Sequence, residues 1–150
     1  MKKRSIFITT QIFLIISILI SSCSLTRHTG YQAKAVTGGY SETQLASDIF
    51  SVRFQGNGYT KAEIANDFCL LRCADLTTQN GYKYFTIISN KEGSLGALAA
   101  TNVIGNTLVI TGYPSDNNVI KLLKDKPETN AIVYEASFMA NSIRTKYKIK

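Results

Sequence analysis

Ile49–Ser89 reads IFSVRFQGNGYTKAEIANDFCLLRCADLTTQNGYKYFTIIS, and its rhythm changes twice. From Ile49 to Gly56 the apolar residues Phe50, Val52 and Phe54 alternate with Ser51, Arg53 and Gln55. That two-residue period predicts a half-buried strand. Gly56-Asn57-Gly58 stops it with residues that tolerate positive φ. From Thr60 to Gln79 the period becomes helical. Thr60 and Glu63 have capping-box spacing, and Asn80-Gly81 suits a left-handed cap. Turning about 100° per residue, Ala62, Ile64, Ala65, Phe68, Cys69, Cys73 and Leu76 share one face, with Glu63, Asn66, Asp67, Thr77 and Thr78 opposite. Tyr82 to Ser89 is aromatic and β-branched, a strand composition. The unit is strand–helix–strand. Its strands are either parallel neighbours joined by a right-handed crossover or flank another strand.

Upstream, Gly38 to Gln44 reads as a turn, with Ser41 and Gln44 spaced for a short helical turn. Downstream, Asn90 to Asn106 reads as a loop with a short strand near Leu98 to Val103, and Thr107 to Tyr113 as a strand. Tyr113-Pro114-Ser115-Asp116-Asn117 is a turn. Val119 to Lys124 satisfies either period; the preceding turn assigns it to a strand in a hairpin. A last helix fits Ile132 to Tyr147, with Ile132, Ala136, Met139, Ile143 and Tyr147 as its apolar stripe. The expected fold is α+β: a two-layer sandwich with a mixed or antiparallel sheet of about four strands and two helices on one face. There are no internal repeats.

The N-terminal region has a different character. Lys2, Lys3 and Arg4 precede a mainly apolar run from Ser5 to Ile20, broken by Thr9, Thr10 and Gln11. Charge, apolar core and small residues in that order describe a secretory signal peptide, and the run is too interrupted for a stable membrane-spanning helix. Ile20-Ser21-Ser22-Cys23 resembles a bacterial lipobox. The resemblance implies cleavage between Ser22 and Cys23 and acyl chains, palmitate among them, on Cys23, whose thiol forms the thioether. The alternatives are an ordinary signal peptide with a chance cysteine, or an uncleaved anchor. One acyl chain holds only marginally, at ~0.8 kcal/mol per buried methylene; three are effectively permanent. By resemblance to enterobacterial sorting, Ser24 in place of aspartate favours the outer membrane, facing the periplasm. The expected organisation is a signal peptide over 1–22, lipidated cysteine and loose tether over 23–39, and a single α+β domain over 40–150. Loss of Lys2, Lys3 and Arg4 lowers the formal charge from +7 to +4. No Lys/Arg run survives to make the concentrated basic face that nucleic acid requires, so no nucleic-acid partner is expected. The tail cations Arg144, Lys146, Lys148 and Lys150 read as a solvated helix end.

Catalytic chemistry is hard to assemble. His28 is the sole histidine and falls in the tether, which argues against Ser–His–Asp or Cys–His devices. No G-x-S-x-G, H-E-x-x-H or phosphate-binding loop occurs. No metal, cofactor or catalytic residue is expected. Anion binding at the helix opened by Gly56-Asn57-Gly58 is disfavoured because Thr60 and Glu63 cap those amides. Export to an oxidising space raises the question of a Cys69–Cys73 disulfide. Four residues apart on a helix, their Cβ vectors run nearly parallel, so both read as small buried apolar residues. Arg72 lies inside the apolar arc and needs a partner or a route to solvent. One reading pairs it structurally with Glu42, Asp48 or Asp75, or with carbonyls of the Gly38–Ser41 turn. The other places Arg72 with Tyr40 and Tyr59 in a pocket for an acidic group.

Gly38-Gly39-Tyr40-Ser41-Glu42, Gly56-Asn57-Gly58-Tyr59-Thr60, Leu70-Leu71-Arg72-Cys73-Ala74-Asp75-Leu76-Thr77 and Gly81-Tyr82-Lys83-Tyr84-Phe85 stand in this order behind the lipobox. Together they resemble a family of small bacterial envelope lipoproteins of uncharacterised function, in which Glu is usual at Asp75. The resemblance covers Gly38 to about Ser89 well and the C-terminal third weakly. It implies location and architecture, with membrane contact through the lipid on Cys23. Two functions follow as expectations: a non-enzymatic envelope protein acting through protein or peptidoglycan contacts, or a membrane-tethered domain that binds or hydrolyses a small acidic ligand using Arg72.

Overall fold

A computed structural model describes residues 27–90, 100–104, 107–111, 113–128 and 131–150. Ser22 and Cys23 lie outside them. The elements run β1 (Gly39–Ala46), β2 (Ile49–Gln55), α1 (Ala62–Gln79), β3 (Tyr84–Asn90), β4 (Ala100–Ile104), β5 (Thr107–Thr111), β6 (Ser115–Leu123), β7 (Val133–Glu135) and α2 (Ala136–Tyr147). A five-stranded sheet has the order β1-β2-β6-β3-β7, every neighbour antiparallel, while β4 and β5 form a separate two-stranded sheet. The α+β sandwich is as expected, with one strand more.

The central strands obey the period seen in the sequence. Phe50, Val52 and Phe54 of β2 are buried, and register sets them opposite Ile120, Asn118 and Asp116 of β6. Phe85 of β3 faces Leu122 on one side and Tyr134 on the other, with the Phe85 and Tyr134 rings stacked at 5.2 Å. α1 covers this face with Ala65, Phe68, Cys69, Leu71, Cys73, Ala74, Leu76 and Thr77 buried. The buried surface exceeds the single arc expected, and Ala62 is exposed. The reason is that α1 packs on the sheet and α2 at once. Thr77 tolerates burial by donating its hydroxyl to the Cys73 carbonyl at 2.7 Å.

Several expectations change. β2 and β3 are parallel and flank β6, the second of the two arrangements considered. The short strand expected near Leu98 to Val103 is β4, at Ala100–Ile104; residues 91–99 lie outside the described set. Val119–Leu123 is indeed strand, but β6 starts at Ser115, so the turn expected over Tyr113–Asn117 is absent and β6 does not form a hairpin with β5. It fills the slot between β2 and β3, where alternate residues Asp116, Asn118, Ile120 and Leu122 are buried. Gly38–Gln44 is no helical turn: Gly39–Ala46 is an edge strand whose polar residues conceal the β period. The last helix starts at Ala136, because Val133–Glu135 pairs with β3; Ile132 is exposed, while Ala136 and Ile143 are buried.

The helix cap also differs. α1 begins at Ala62 after Lys61, with no side-chain cap. The Thr60 hydroxyl instead accepts the Asn57 amide at 3.1 Å and the Thr29 amide at 3.0 Å. Gly81 ends the helix in the left-handed conformation (φ +77°), as expected. The segment read as a loose tether is packed. Thr29 is buried and its hydroxyl donates to the Thr37 carbonyl at 2.6 Å. Ala33 bridges to Tyr40, and Ala35 exchanges two backbone hydrogen bonds with Gly38. The folded body thus starts ahead of residue 40.

Gly39 makes this packing possible, with φ +133° and its Cα facing the backbone of Gln32 and Ala33. A Cβ there would lie 2.5 Å from the Gln32 carbonyl oxygen and 2.7 Å from that of Ala33. At Gly30 nothing lies within 4 Å of the same atom. Gly39→Ala is expected to destabilise the protein by about 2 kcal/mol, and Gly30→Ala by less than about 0.5 kcal/mol. Urea unfolding midpoints of the two variants test this; equal midpoints would show that the Gly39 backbone is free to move.

Candidate functional site

The β1 register places Tyr40 opposite Phe54 and Glu42 opposite Val52, so both side chains project onto the helix-covered face. Arg72 descends on them from α1. Its Nη2 donates to Glu42 Oε1 at 2.7 Å and its Nε to Oε2 at 3.2 Å, a two-pronged grip. The guanidinium carbon lies 4.4 Å from the Tyr40 ring centroid. Burial disfavours the Arg72 charge, but the hydrogen bond and charge of Glu42 outweigh it and hold its pKa above the ordinary value. The Arg72 side chain is 12% exposed. Of the partners considered, Glu42 is the one that binds. Asp48 sits 3.9 Å from Lys121, and Asp75 is paired elsewhere.

The partner of Asp75 is Arg144 of α2, whose Nη2 donates to Oδ2 at 2.8 Å and Oδ1 at 2.9 Å. Tyr31 donates its hydroxyl to the same carboxylate. Lys146 donates to Glu63 at 2.6 Å and Asp67 at 2.7 Å, and these two bonds hold its pKa above the ordinary value. The tail cations therefore are not all a solvated end: Arg144 and Lys146 clamp α2 to α1, while Lys148 and Lys150 are exposed.

Cys69 and Cys73 are buried free thiols, as the sequence suggested. Burial, followed by the hydrogen bond with Cys69, pushes the Cys73 thiol well above its ordinary pKa, so it stays protonated and unreactive. Beside them, Asn118 donates to Asp116 at 3.1 Å and Asn66 donates to the same oxygen at 3.3 Å. This polar patch joins β6 to α1 inside the core.

Tyr59 does not join Arg72 and Tyr40. It lines a separate open cleft of about 720 Å³ with Arg27, His28, Lys34, Val36, Gly56 and Tyr113 among its walls. Two loops build it. Gly56–Tyr59 is held by the Gly56 amide on the Pro114 carbonyl and by Asn57, which accepts the Tyr59 amide and donates to the Arg27 carbonyl at 2.8 Å. Residues 27–38 form the other wall. His28 belongs to this body and not to a remote tether. Among the described residues, no three His, Cys, Asp or Glu side chains gather where they could hold a metal ion. The cleft was missed because its members are scattered along the chain, and Tyr beside Gly does not mark it, since Tyr31, Tyr40 and Tyr82 follow Gly as Tyr59 and Tyr113 do.

No protein family, curated protein or solved structure matches the chain. In the fold the Tyr40 and Glu42 phrase grips the Arg72 phrase, and the Gly56 phrase seats residues 27–38 through Thr60. Those contacts account for the phrases physically.

Tyr31 offers a test of the ionic clamp. Burial first, and then the hydrogen bond to Asp75, raise its phenol pKa far above the usual 10.0. Above pH ~10 the unfolded chain loses this proton while the folded chain keeps it, so stability falls as pH rises. The slope from this group approaches about 1.4 kcal/mol per pH unit. Tyr31→Phe is expected to flatten alkaline denaturation by up to that amount. Unchanged slopes in urea melts between pH 9 and 11 would exclude the buried, Asp75-bonded phenol.

Proposed function

We propose that this chain is a lipid-anchored protein of the bacterial cell envelope. It is attached through Cys23, resides at the outer membrane facing the periplasm, and works by contact with envelope proteins or peptidoglycan without catalysing a reaction. The observation that supports this most is the short leash. Arg27, four residues beyond the lipobox cysteine, already accepts a hydrogen bond from Asn57 at 2.8 Å, and Thr29 is 3% exposed. At ~3.5 Å per residue, four residues reach at most about 14 Å. A leader ending there is joined to its cargo with almost no spacer. Among the described residues no helix is long and apolar enough to cross a membrane.

The acidic-ligand reading loses its main support. Glu42 occupies the edge of Arg72 that would grip a carboxylate, and Tyr40 covers a face of the guanidinium. A ligand would have to displace a bidentate partner supplied by the chain itself.

Metabolic labelling with a palmitate analogue, followed by membrane fractionation, tests the anchor. The protein is expected to carry label and to sediment with outer membrane, and Cys23→Ser to lose the label and accumulate with its leader attached. Recovery of the wild-type protein free in the periplasm with an unmodified Cys23 removes the premise.

A further inference from the structure

The cleft beside the N-terminal segment carries cations without lining carboxylates, unlike the clamps that join β1, α1 and α2. Arg72, Arg144 and Lys146 are each matched by carboxylates. The cleft contributes Arg27 and Lys34, both exposed, and no Asp or Glu lines it. Its apolar residues are also presented outward. Ala35 and Gly38 exchange backbone hydrogen bonds of 3.0 and 3.1 Å, leaving Val36 and Thr37 as a two-residue tip. Val36 at that tip is fully exposed, and Tyr59 and Tyr113 are more than half exposed. Exposed cations, phenols with an apolar body and a polar end, and an aliphatic tip are the composition of a surface that sits at lipid headgroup level.

We infer that this cleft and the Val36 tip form the membrane-facing surface of the protein. Arg27 and Lys34 meet the phosphates of anionic lipid, and Val36, Tyr59 and Tyr113 seat in the headgroup layer. The inference rests on the reading that Cys23 carries the lipid, and it adds an orientation that an anchor alone does not impose. Three observations converge on a bilayer as the occupant. Arg27, four residues from Cys23, is itself a wall of the cleft, so the cleft is among the parts of the body held near the lipid. The charge is complementary to anionic headgroups. The other exposed large apolar residues, such as Leu45, Ile88 and Phe138, lie on separate elements.

The chain contains no Trp, so a single introduced indole reports position without background. Full-length protein expressed in bacteria carries Val36→Trp, Tyr59→Trp or, on α2, Phe138→Trp. Each is reconstituted in phosphatidylethanolamine–phosphatidylglycerol vesicles containing brominated lipid, and the state of Cys23 is read by mass. Val36→Trp and Tyr59→Trp are expected to shift to the blue and lose most of their emission, and Phe138→Trp to keep it. Adding Arg27→Gln and Lys34→Gln removes two cations worth about fivefold each near an anionic surface. The docked state should therefore weaken about 25-fold and the quenching fall. Acylated protein with unquenched Val36→Trp and Tyr59→Trp overturns the surface and leaves the anchor standing. Unmodified Cys23 overturns the anchor; quenching that persists then supports the surface on its own, and its absence sinks both. An emission shift produced by purified peptidoglycan, with none in vesicles, overturns the surface in favour of the cell wall.

Discussion

The ring of Phe68 meets three others, and each comes from a different part of the chain. Phe54 of β2 stands edge-on at 5.3 Å, Tyr147 of α2 at 5.1 Å and Tyr31 of the N-terminal segment at 5.9 Å. One side chain of α1 thus joins the sheet, the second helix and the leading segment. Truncating a buried Phe costs on the order of 3–5 kcal/mol, a large share of the 5–15 kcal/mol that holds a small domain. The perpendicular geometry sets ring edges against ring faces, which favours one arrangement over looser packing. Where Phe68 sits, the positions of α2 and residues 27–38 follow.

The ion pairs add registry to that junction more than they add strength. Exposed pairs are typically worth ~0–1 kcal/mol. The pair between Arg144 and the 13%-exposed Asp75 belongs to a tighter class, because the Tyr31 phenol shares the same carboxylate. Asp75 is then bound by a residue of α2 and a residue of the leading segment at once. Arg72 does the same for the sheet edge. β1 is an outer strand of mostly polar residues whose free side is met only near Tyr40 by residues 32–34, so apolar burial alone gives it little hold. Glu42 and Tyr40 lock it under α1 through one guanidinium. An unpaired Arg72 at that depth would be costly, which explains why both partners lie on the same strand face two residues apart.

The legible part of this fold was the part where one period ruled. β2, α1 and the cap at Gly81 were readable because Phe50, Val52 and Phe54 alternate and because α1 is long. β1 was hidden because an edge strand needs no apolar alternation, and Ser41, Thr43 and Gln44 read as turn. β7 was hidden because three residues next to Ala136 cannot be distinguished from the first turn of a helix. The pairing of β6 was misjudged for a different reason. Tyr113 to Asn117 reads as a turn from its Pro, Ser, Asp and Asn, yet Ser115–Asn117 is already strand, and the vacancy between β2 and β3 is a property of the whole sheet. The clamp partners were out of reach in the same way: Glu42 and Arg72 lie 30 residues apart, and Asp75 and Arg144 lie 69 apart. The sequence showed that Arg72 needed a partner or a route to solvent and left three carboxylates, the carbonyls of the Gly38–Ser41 turn and a ligand pocket open. Geometry alone could choose among them.

The order of residues 27–39 changes what an anchor at Cys23 can do. A loose chain from Cys23 to Gly39 would span up to roughly 55 Å at ~3.5 Å per residue and would let the domain tumble freely above a membrane. Here the Thr29 amide is held by Thr60, and Tyr31 is wedged between Tyr40 and Phe68. Packing thus reaches to within four residues of Cys23, at the Arg27 carbonyl. Contact between the nearest surface and the bilayer then becomes effectively intramolecular, and the local concentration imposed by so short a leash makes even weak headgroup interactions count. The same junction that organises the core around Phe68 thereby holds residues 27–38 against the body, and under the proposed lipidation it keeps the surface beside them near the lipid.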